Sequence, residues 1–255
     1  MVNFVGAGPG AVDLITVRGL KLIKEADQII YAGSLVNPEL LEDRKKECIV
    51  LNSAKMTLEQ VIQAIVEAEN KGLHTVRLHT GDPSIYGAVR EQMDELTKRG
   101  IAFDSCPGVS SFCGAASALN MEYTLPGISQ SVIITRMEGH TPVPDRETIA
   151  SFAAHQSTMV LFLSAGMKEK LSKELIKGGY REDTPVAVVY KATWPEERKL
   201  FCTVGSMEAE MRRADITKTA LILVGDAVAQ GSYERSKLYD PAFSTEFRKG
   251  TGKTE

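Results

Sequence analysis

Apolar positions along the chain switch repeatedly between two periods. Short β-branched runs bounded by turn residues, at 2–5, 28–31, 48–51, 75–79 and 102–106, read as strands. Helix-length segments lie between them. The clearest is 57–71, where Leu58, Val61, Ile62, Ile65 and Val66 recur at i, i+3, i+4, i+7 and i+8, and Thr57 with Gln60 has the spacing of a capping box. Strand-helix alternation of this kind predicts a parallel sheet covered on both faces.

The segment 120–130 holds Pro126-Gly127 and no sustained period, which marks a domain junction. Beyond it, strands are predicted at 131–135, 159–163, 186–190, 200–204 and 220–224, and helices near 146–154, 167–177 and 207–214. The connection from Tyr190 to Leu200 contains Trp194-Pro195 and is too short for a crossover helix, so its two strands are expected to run antiparallel and the second sheet to be mixed. The expected organisation is an N-terminal α/β domain over 1–120 with a parallel five-stranded sheet and a junction over 121–130. A C-terminal α/β domain with a mixed five-stranded sheet then occupies 131–240, followed by a loose polar tail over 241–255.

Composition and charge narrow the class. With 255 residues, 43% of them hydrophobic, and 30 Lys+Arg against 33 Asp+Glu, the chain is a globular composition of net charge −3. That balance argues against a nucleic-acid binder working through an overall basic field. No apolar run approaches the length of a membrane span, and Met1-Val2-Asn3-Phe4-Val5 enters a strand pattern without a basic leader, so a cytoplasmic enzyme is expected. Cys48, Cys106, Cys113 and Cys202 form no Cys-x-x-Cys pair and read as buried thiols, and the four histidines show no metal-ligand spacing, so no protein-bound metal is implied.

Three Gly/Pro loops each follow a strand and precede a helix: Gly6-Ala7-Gly8-Pro9-Gly10, Gly81-Asp82-Pro83-Ser84-Ile85-Tyr86-Gly87, and Pro107-Gly108-Val109-Ser110-Ser111. In an open parallel sheet all three fall on the carboxyl edge, where exposed backbone N–H groups and helix N-termini bind ligands. Taken alone, each is a tight turn. Gly6, Gly8 and Ala11 match a dinucleotide fingerprint, yet Pro9 removes an N–H from the loop and Tyr31-Ala32-Gly33 offers no acid for a ribose hydroxyl. A nicotinamide oxidoreductase is therefore a disfavoured alternative.

These motifs, with Asp13-Leu14-Ile15-Thr16, Tyr31-Ala32-Gly33-Ser34-Leu35, Thr184-Pro185-Val186-Ala187-Val188, Ala192-Thr193-Trp194-Pro195-Glu196 and Leu221-Ile222-Leu223-Val224-Gly225, resemble the tetrapyrrole methylases, S-adenosylmethionine-dependent enzymes of corrin and porphyrin biosynthesis. The likeness runs over about residues 2–240. Thr135-Arg136-Met137-Glu138-Gly139-His140-Thr141-Pro142-Val143-Pro144 is similar to the segment of those members that methylate C11 of precorrin-4, and its Thr-Pro-Val-Pro ending resembles the cobalt-dependent, anaerobic branch of cobalamin biosynthesis. Metal-free precorrin-4, or another ring position such as C20 or C17, is the alternative within the same chemistry.

The resemblance implies a homodimer of two-domain subunits, with the methyl donor in the cleft between domains and the macrocycle in an adjoining trough. It implies donor contacts at Pro9, Thr80, Gly81, Asp82, Ile85, Tyr86, Ser110, Ser111, Met137, Leu163 and Ala192, with S-adenosyl-L-homocysteine as product and cobalt only within the substrate. The glycine-rich loop, through Gly8 and Gly10, is expected to face the macrocycle. Asp13, Arg18, Arg90, Arg136 and Lys191 flank the motif loops and are candidates for substrate contact, the four cations because the substrate carries several carboxylates. Relatives that methylate uroporphyrinogen carry an acid just after the second strand's Tyr; this chain has Ala32, and no catalytic base is assigned.

Overall fold

The structure, a computed structural model, describes residues 1–229 and 231–251. The chain divides into two units, one formed by 1–118 with 191–198 and the other by 119–190 with the chain from 199 onward.

In the first unit, β1 (Val2–Gly6), β2 (Gln28–Tyr31), β3 (Ile49–Asn52), β4 (Thr75–His79) and β5 (Phe103–Cys106) form one sheet in the order β3-β2-β4-β1-β5. All its pairings are parallel. Helices α1 (Val17–Glu25), α2 (Leu58–Asn70), α3 (Arg90–Lys98) and α4 (Ser111–Leu119) alternate with the strands. The predicted capping box is present: the Gln60 backbone N–H donates to Thr57 Oγ1 at 3.3 Å and the Thr57 N–H to Gln60 Oε1 at 2.9 Å. Both faces of the sheet are covered, because successive strand residues enter different cores. Phe4 and Ile30 pack with Ile62 and Ile65 of α2 and Leu96 of α3, whereas Val5 and Ile29 pack with Ile23 of α1 and with Leu40 and Leu41. Each such fully buried side chain contributes roughly 1.5–3 kcal/mol of transfer free energy.

In the second unit, β6 (Val132–Arg136), β7 (Thr158–Phe162), β8 (Pro185–Tyr190), β9 (Arg198–Thr203) and β10 (Ala220–Val224) follow the order β6-β7-β10-β8-β9. The sheet is mixed: β6 and β7 are parallel, and β10 is antiparallel to β7 and β8. Helices α5 (Ile149–Ala153), α6 (Lys168–Lys177) and α7 (Met207–Arg213) pack on it, with Leu171, Leu175, Met207 and Met211 against Met159, Leu161, Val188 and Ile222. The predicted helix over 146–154 is broken. Residues 145–147 form a 3-10 turn, and Thr148 caps α5 by accepting the Ser151 N–H at 3.2 Å.

The cysteines depart from expectation. Cys48 and Cys106 are buried, but Cys202 on β9 is only half-buried and Cys113, in the first turn of α4, is exposed. Of the expected tail, 252–255 lie outside the described residues. Over 241–251, the Arg248 guanidinium donates to the carbonyls of Leu238, Asp240 and Phe243 and the Thr251 N–H to Pro241 O.

Candidate functional site

β4, β1 and β5 are neighbours, so the three glycine-rich loops leave the carboxyl edge of three adjacent strands. They meet backbone to backbone. Gly8 and Gly81 exchange hydrogen bonds at 3.2 and 2.8 Å, and the space where a Cβ on Gly6 or Gly108 would stand is filled by the other glycine and by Gly81 O, at 2.2–2.9 Å. Only residues without side chains allow this approach. Gly81 has φ +59, a conformation that favours glycine, and packs on the backbone of Ser110 and Ser111 at the start of α4.

Asp82 ties the second loop to the third. Its Oδ2 accepts the Gly108 N–H at 2.8 Å, and its Oδ1 accepts the Ser84 N–H at 2.8 Å and the Ser84 hydroxyl. Burial pushes this carboxyl up, but the bonds from Ser84 and Gly108 outweigh it and hold the carboxyl below the usual range. Thr80, Gly81, Asp82, Ile85 and Tyr86 therefore share one loop with Ser110 and Ser111 beside it; Ser110 is buried. Tyr86 is 45% exposed with φ +55.

The first loop is not a pyrophosphate cradle. The Ala7, Gly8 and Ala11 N–H groups donate to His79 O, Gly81 O and Thr193 Oγ1, and Pro9 has no N–H to offer. Its carbonyls are engaged too: Trp194 Nε1 donates to Pro9 O at 3.0 Å and Asn37 Nδ2 to Gly10 O at 2.9 Å. Neither Asn37 nor Trp194 was singled out for this loop by sequence. Their signal is a side-chain amide and an indole N–H far away in the chain, which no local pattern connects to residues 9–10.

His79, the last residue of β4, has an Nε2 that is buried without a hydrogen-bond partner among the described residues. Burial, then the charge of Arg77, pushes its pKa down to about 3, so it is neutral beside the loop. Arg77 donates to Gln92 Oε1 at 2.9 Å and Ile30 O at 3.0 Å.

The remaining predicted residues have distinct surroundings. Asp13 and Arg18 are exposed near the start of α1, and Arg90 is ion-paired with Asp94 at 2.6 Å on α3. Lys191 pairs with Glu196 at 2.8 Å and lies 5.2 Å over the Trp194 ring, next to buried Ala192. In the second unit, Arg136 ends β6, and its guanidinium donates to the carbonyls of Met137, Thr141 and Pro142 at 2.9–3.2 Å. Carbonyl acceptors leave the cation's charge unneutralised while holding 137–142 in place. Met137 is buried and donates its N–H to Ser164 Oγ at 2.9 Å. Leu163 stands just after β7, 67% exposed at φ +52. Exposed apolar side chains on strained backbone, as at Tyr86 and Leu163, are a frequent mark of ligand sites.

Other features add no chemistry. A cavity of about 610 Å³ in the second unit is bordered by Lys168, Glu169, Lys173, Glu208 and Arg212, whose charges are mostly satisfied by one another, and it contains none of the site residues. Among the described residues, no group of three His, Cys, Asp or Glu is arranged to hold a metal ion, and no helix is long and apolar enough to cross a membrane.

Comparison with known proteins matches this arrangement of loops and sheets. A cobalt-precorrin-4 C(11)-methyltransferase of Methanocaldococcus jannaschii is 54% identical over 248 residues, 97% of this chain and 96% of the relative. A precorrin-4 C(11)-methyltransferase of a Sinorhizobium species is 44% identical, covering 97% of this chain and 98% of the relative. The X-ray structure of a cobalt precorrin-4 methyltransferase superposes with a TM-score of 0.87 at 46% identity, covering 89% of this chain and 95% of that one. The family profile for tetrapyrrole (corrin/porphyrin) methylases matches residues 1–208, a span that holds all three glycine loops, Asp82 and the Arg136 segment; by that match and these relatives the chain belongs to the tetrapyrrole methylases.

Proposed function

We propose that the protein transfers the methyl group of S-adenosyl-L-methionine to C11 of cobalt-precorrin-4, giving cobalt-precorrin-5A and S-adenosyl-L-homocysteine in anaerobic cobalamin biosynthesis. The observation that carries this reading is near full-length identity to relatives bearing that activity's name, together with the glycine-lined edge on which the family's motifs converge.

The residues present fit the donor. Gly81, at positive φ and bonded through both its N–H and its carbonyl to Gly8, brings the second loop against the backbone of buried Ser110 and of Ser111 at the start of α4. We assign Thr80, Gly81, Asp82, Ile85, Tyr86, Ser110 and Ser111 to holding the donor. Pro9 and Ala192 of the first unit and Met137 and Leu163 of the second complete the assignment on the strength of the family resemblance. When bound, the donor supplies a sulfonium-activated methyl group. The protein's part is then chiefly alignment: holding an electron-rich ring carbon in line with the methyl–sulfur bond, an effect that can lower the barrier by several kcal/mol. Asp82 serves it by fixing the second loop to the third, through acceptor bonds that its ionised form strengthens.

Macrocycle contacts are assigned to the loop of Gly8 and Gly10 and to Asp13, Arg18, Arg90, Arg136 and Lys191. Arg136 suits this best, because its guanidinium is held by three carbonyls and, among the described residues, is paired with no carboxylate. We also assign the protein to the cytoplasm and to a homodimer, of which light scattering of the purified protein tests the dimer.

The deciding experiment is transfer of labelled methyl to purified precorrin-4 in its cobalt and metal-free forms, with the product mass measured and the methylated carbon located by NMR. Methylation at C11 of the cobalt form is expected. Preference for the metal-free form would move the assignment to the activity named for the Sinorhizobium relative, and no transfer by protein that binds S-adenosylhomocysteine would overturn it.

A further inference from the structure

The chain's one tryptophan is packed onto the glycine-rich loop more closely than any side chain could be if that loop carried a Cβ. A Cβ on Gly10 would stand 2.1 Å from Cδ1 and 2.3 Å from Nε1 of Trp194, while the same Nε1 donates to Pro9 O at 3.0 Å. The preceding residue repeats the hold. Thr193 Oγ1 accepts the Ala11 N–H at 3.0 Å, and Thr193 Cγ2 comes within 3.3 Å of where a Cβ on Gly114 would stand.

The turn that presents these two side chains is strained. Thr193 is β-branched and has φ +69, and Lys191 has φ +47. A β-branched residue in that region persists only where its surroundings over-determine it. Here they do so through Glu197, whose Oε2 accepts the Thr193 N–H at 2.7 Å, and through the Lys191 ammonium above the indole at 5.2 Å. The loop on the other side of the contact is intrinsically soft, because Gly8 at φ +81 and Gly10 have no side chains with which to anchor themselves.

We propose that Trp194 is a positioning residue for methyl transfer: a latch that sets the place of the Pro9–Gly10 backbone, and with it the surface offered to the macrocycle. The macrocycle part rests on the function proposed above. Positioning errors near 1 Å can cost on the order of 100-fold in rate, and the latch shares with Asn37, which donates to Gly10 O, the hold on this stretch of backbone.

A double-mutant cycle on the full-length protein tests it. Gly10→Ala drives a methyl group into the indole, so acrylamide quenching of Trp194 emission should rise at least twofold, a direct readout because the chain has no other tryptophan. Trp194→Ala should increase amide exchange across residues 7–11 and lower kcat/KM for the tetrapyrrole tenfold or more, with S-adenosylhomocysteine affinity changed less than threefold. Trp194→Phe, which keeps a ring and loses the N–H, should fall between. Gly10→Ala made in the Trp194→Ala background should change amide exchange across 7–11 less than twofold further, since the clash is gone. Multiplicative effects of the two substitutions on that exchange, or unchanged exchange at 7–11 in Trp194→Ala, would overturn the latch. Equal loss of donor affinity and kcat/KM would overturn the positioning role in favour of a purely structural one. If the wild type transfers no methyl group, the proposed function fails, while quenching and exchange still decide the latch.

Discussion

Replacing Gly108 with alanine adds one methyl group where three backbone segments meet. The new Cβ would stand 2.2 Å from Gly81 O and 2.7 Å from Gly6 Cα, all of them main-chain atoms that cannot swing aside as a side chain would. Ordinary heavy-atom contacts begin at roughly 3.5 Å, so one loop must move by on the order of 1 Å. Overpacking of this kind costs about 1–3 kcal/mol, and because the obstacles are backbone on two sides we place this case near 3 kcal/mol. At about 2–4 °C per kcal/mol for a chain of this length, the melting temperature of the variant should fall by roughly 6–12 °C. Gly72→Ala separates sterics from conformation: Gly72 has φ +68 but nothing within 4 Å of its absent Cβ, so only backbone strain of about 1–2 kcal/mol applies. Calorimetric melting of both variants, with S-adenosylhomocysteine titrated into each, is the assay. The reasoning fails if Gly108→Ala melts no lower than Gly72→Ala, or if it keeps wild-type donor affinity.

Gly81→Arg should abolish S-adenosylhomocysteine binding in a titration, because φ +59 strains any side chain and a Cβ there already meets Ser111 N at 3.3 Å, so a long side chain must displace the loop or the start of α4; retained affinity would remove this loop from the proposed site. Asp82→Asn should lower stability at neutral pH by about 1.5–3 kcal/mol through weakened bonds to Gly108 and Ser84. The folded carboxyl titrates below its ordinary value of 3.8, so its contribution is complete above that pH and is lost as pH falls through the lower folded value. Urea midpoints of wild type and variant should therefore converge below pH 3.8, and a constant gap would contradict the assignment. Arg136→Ala should speed proteolysis within 137–144 at least tenfold, as loss of bonds worth about 1.5 kcal/mol each allows, and should weaken macrocycle binding more than donor binding. Arg136→Lys should not restore the loop, since one ammonium cannot reproduce the guanidinium's fork; full restoration would mean that charge alone matters.

The strands were legible because burial imposes local rules. Residues 28–31, 75–79 and 220–224 alternate or run apolar between turn residues, and the observed β2, β4 and β10 have those bounds. Thr57 and Gln60 announced the start of α2 because a capping box is a contact between residues three apart. The break before α5 was not legible, since Arg146 to Ala154 carries a helical pattern and only the Thr148 cap decides where the helix begins. Cys113 was misread for a related reason: a thiol's burial depends on which side of α4 faces the sheet, and the weakly amphipathic run Ser111 to Leu119 does not say.

For the site, sequence alone determined that three glycine loops follow three strands and that, in a parallel sheet, they share the carboxyl edge, because handed crossovers leave no other arrangement. It also marked Asp82 and Arg136 as candidates for the site. Strand order was decided by tertiary structure. Only the sequence β4-β1-β5 brings Gly6, Gly81 and Gly108 into backbone contact, and only packing between distant residues shows that Arg136 holds carbonyls and that Trp194 and Asn37 hold the first loop. Periodicity and capping are properties of neighbours in the chain and are written there. Contacts across 27 or 185 positions depend on how whole layers pack, which no local pattern contains.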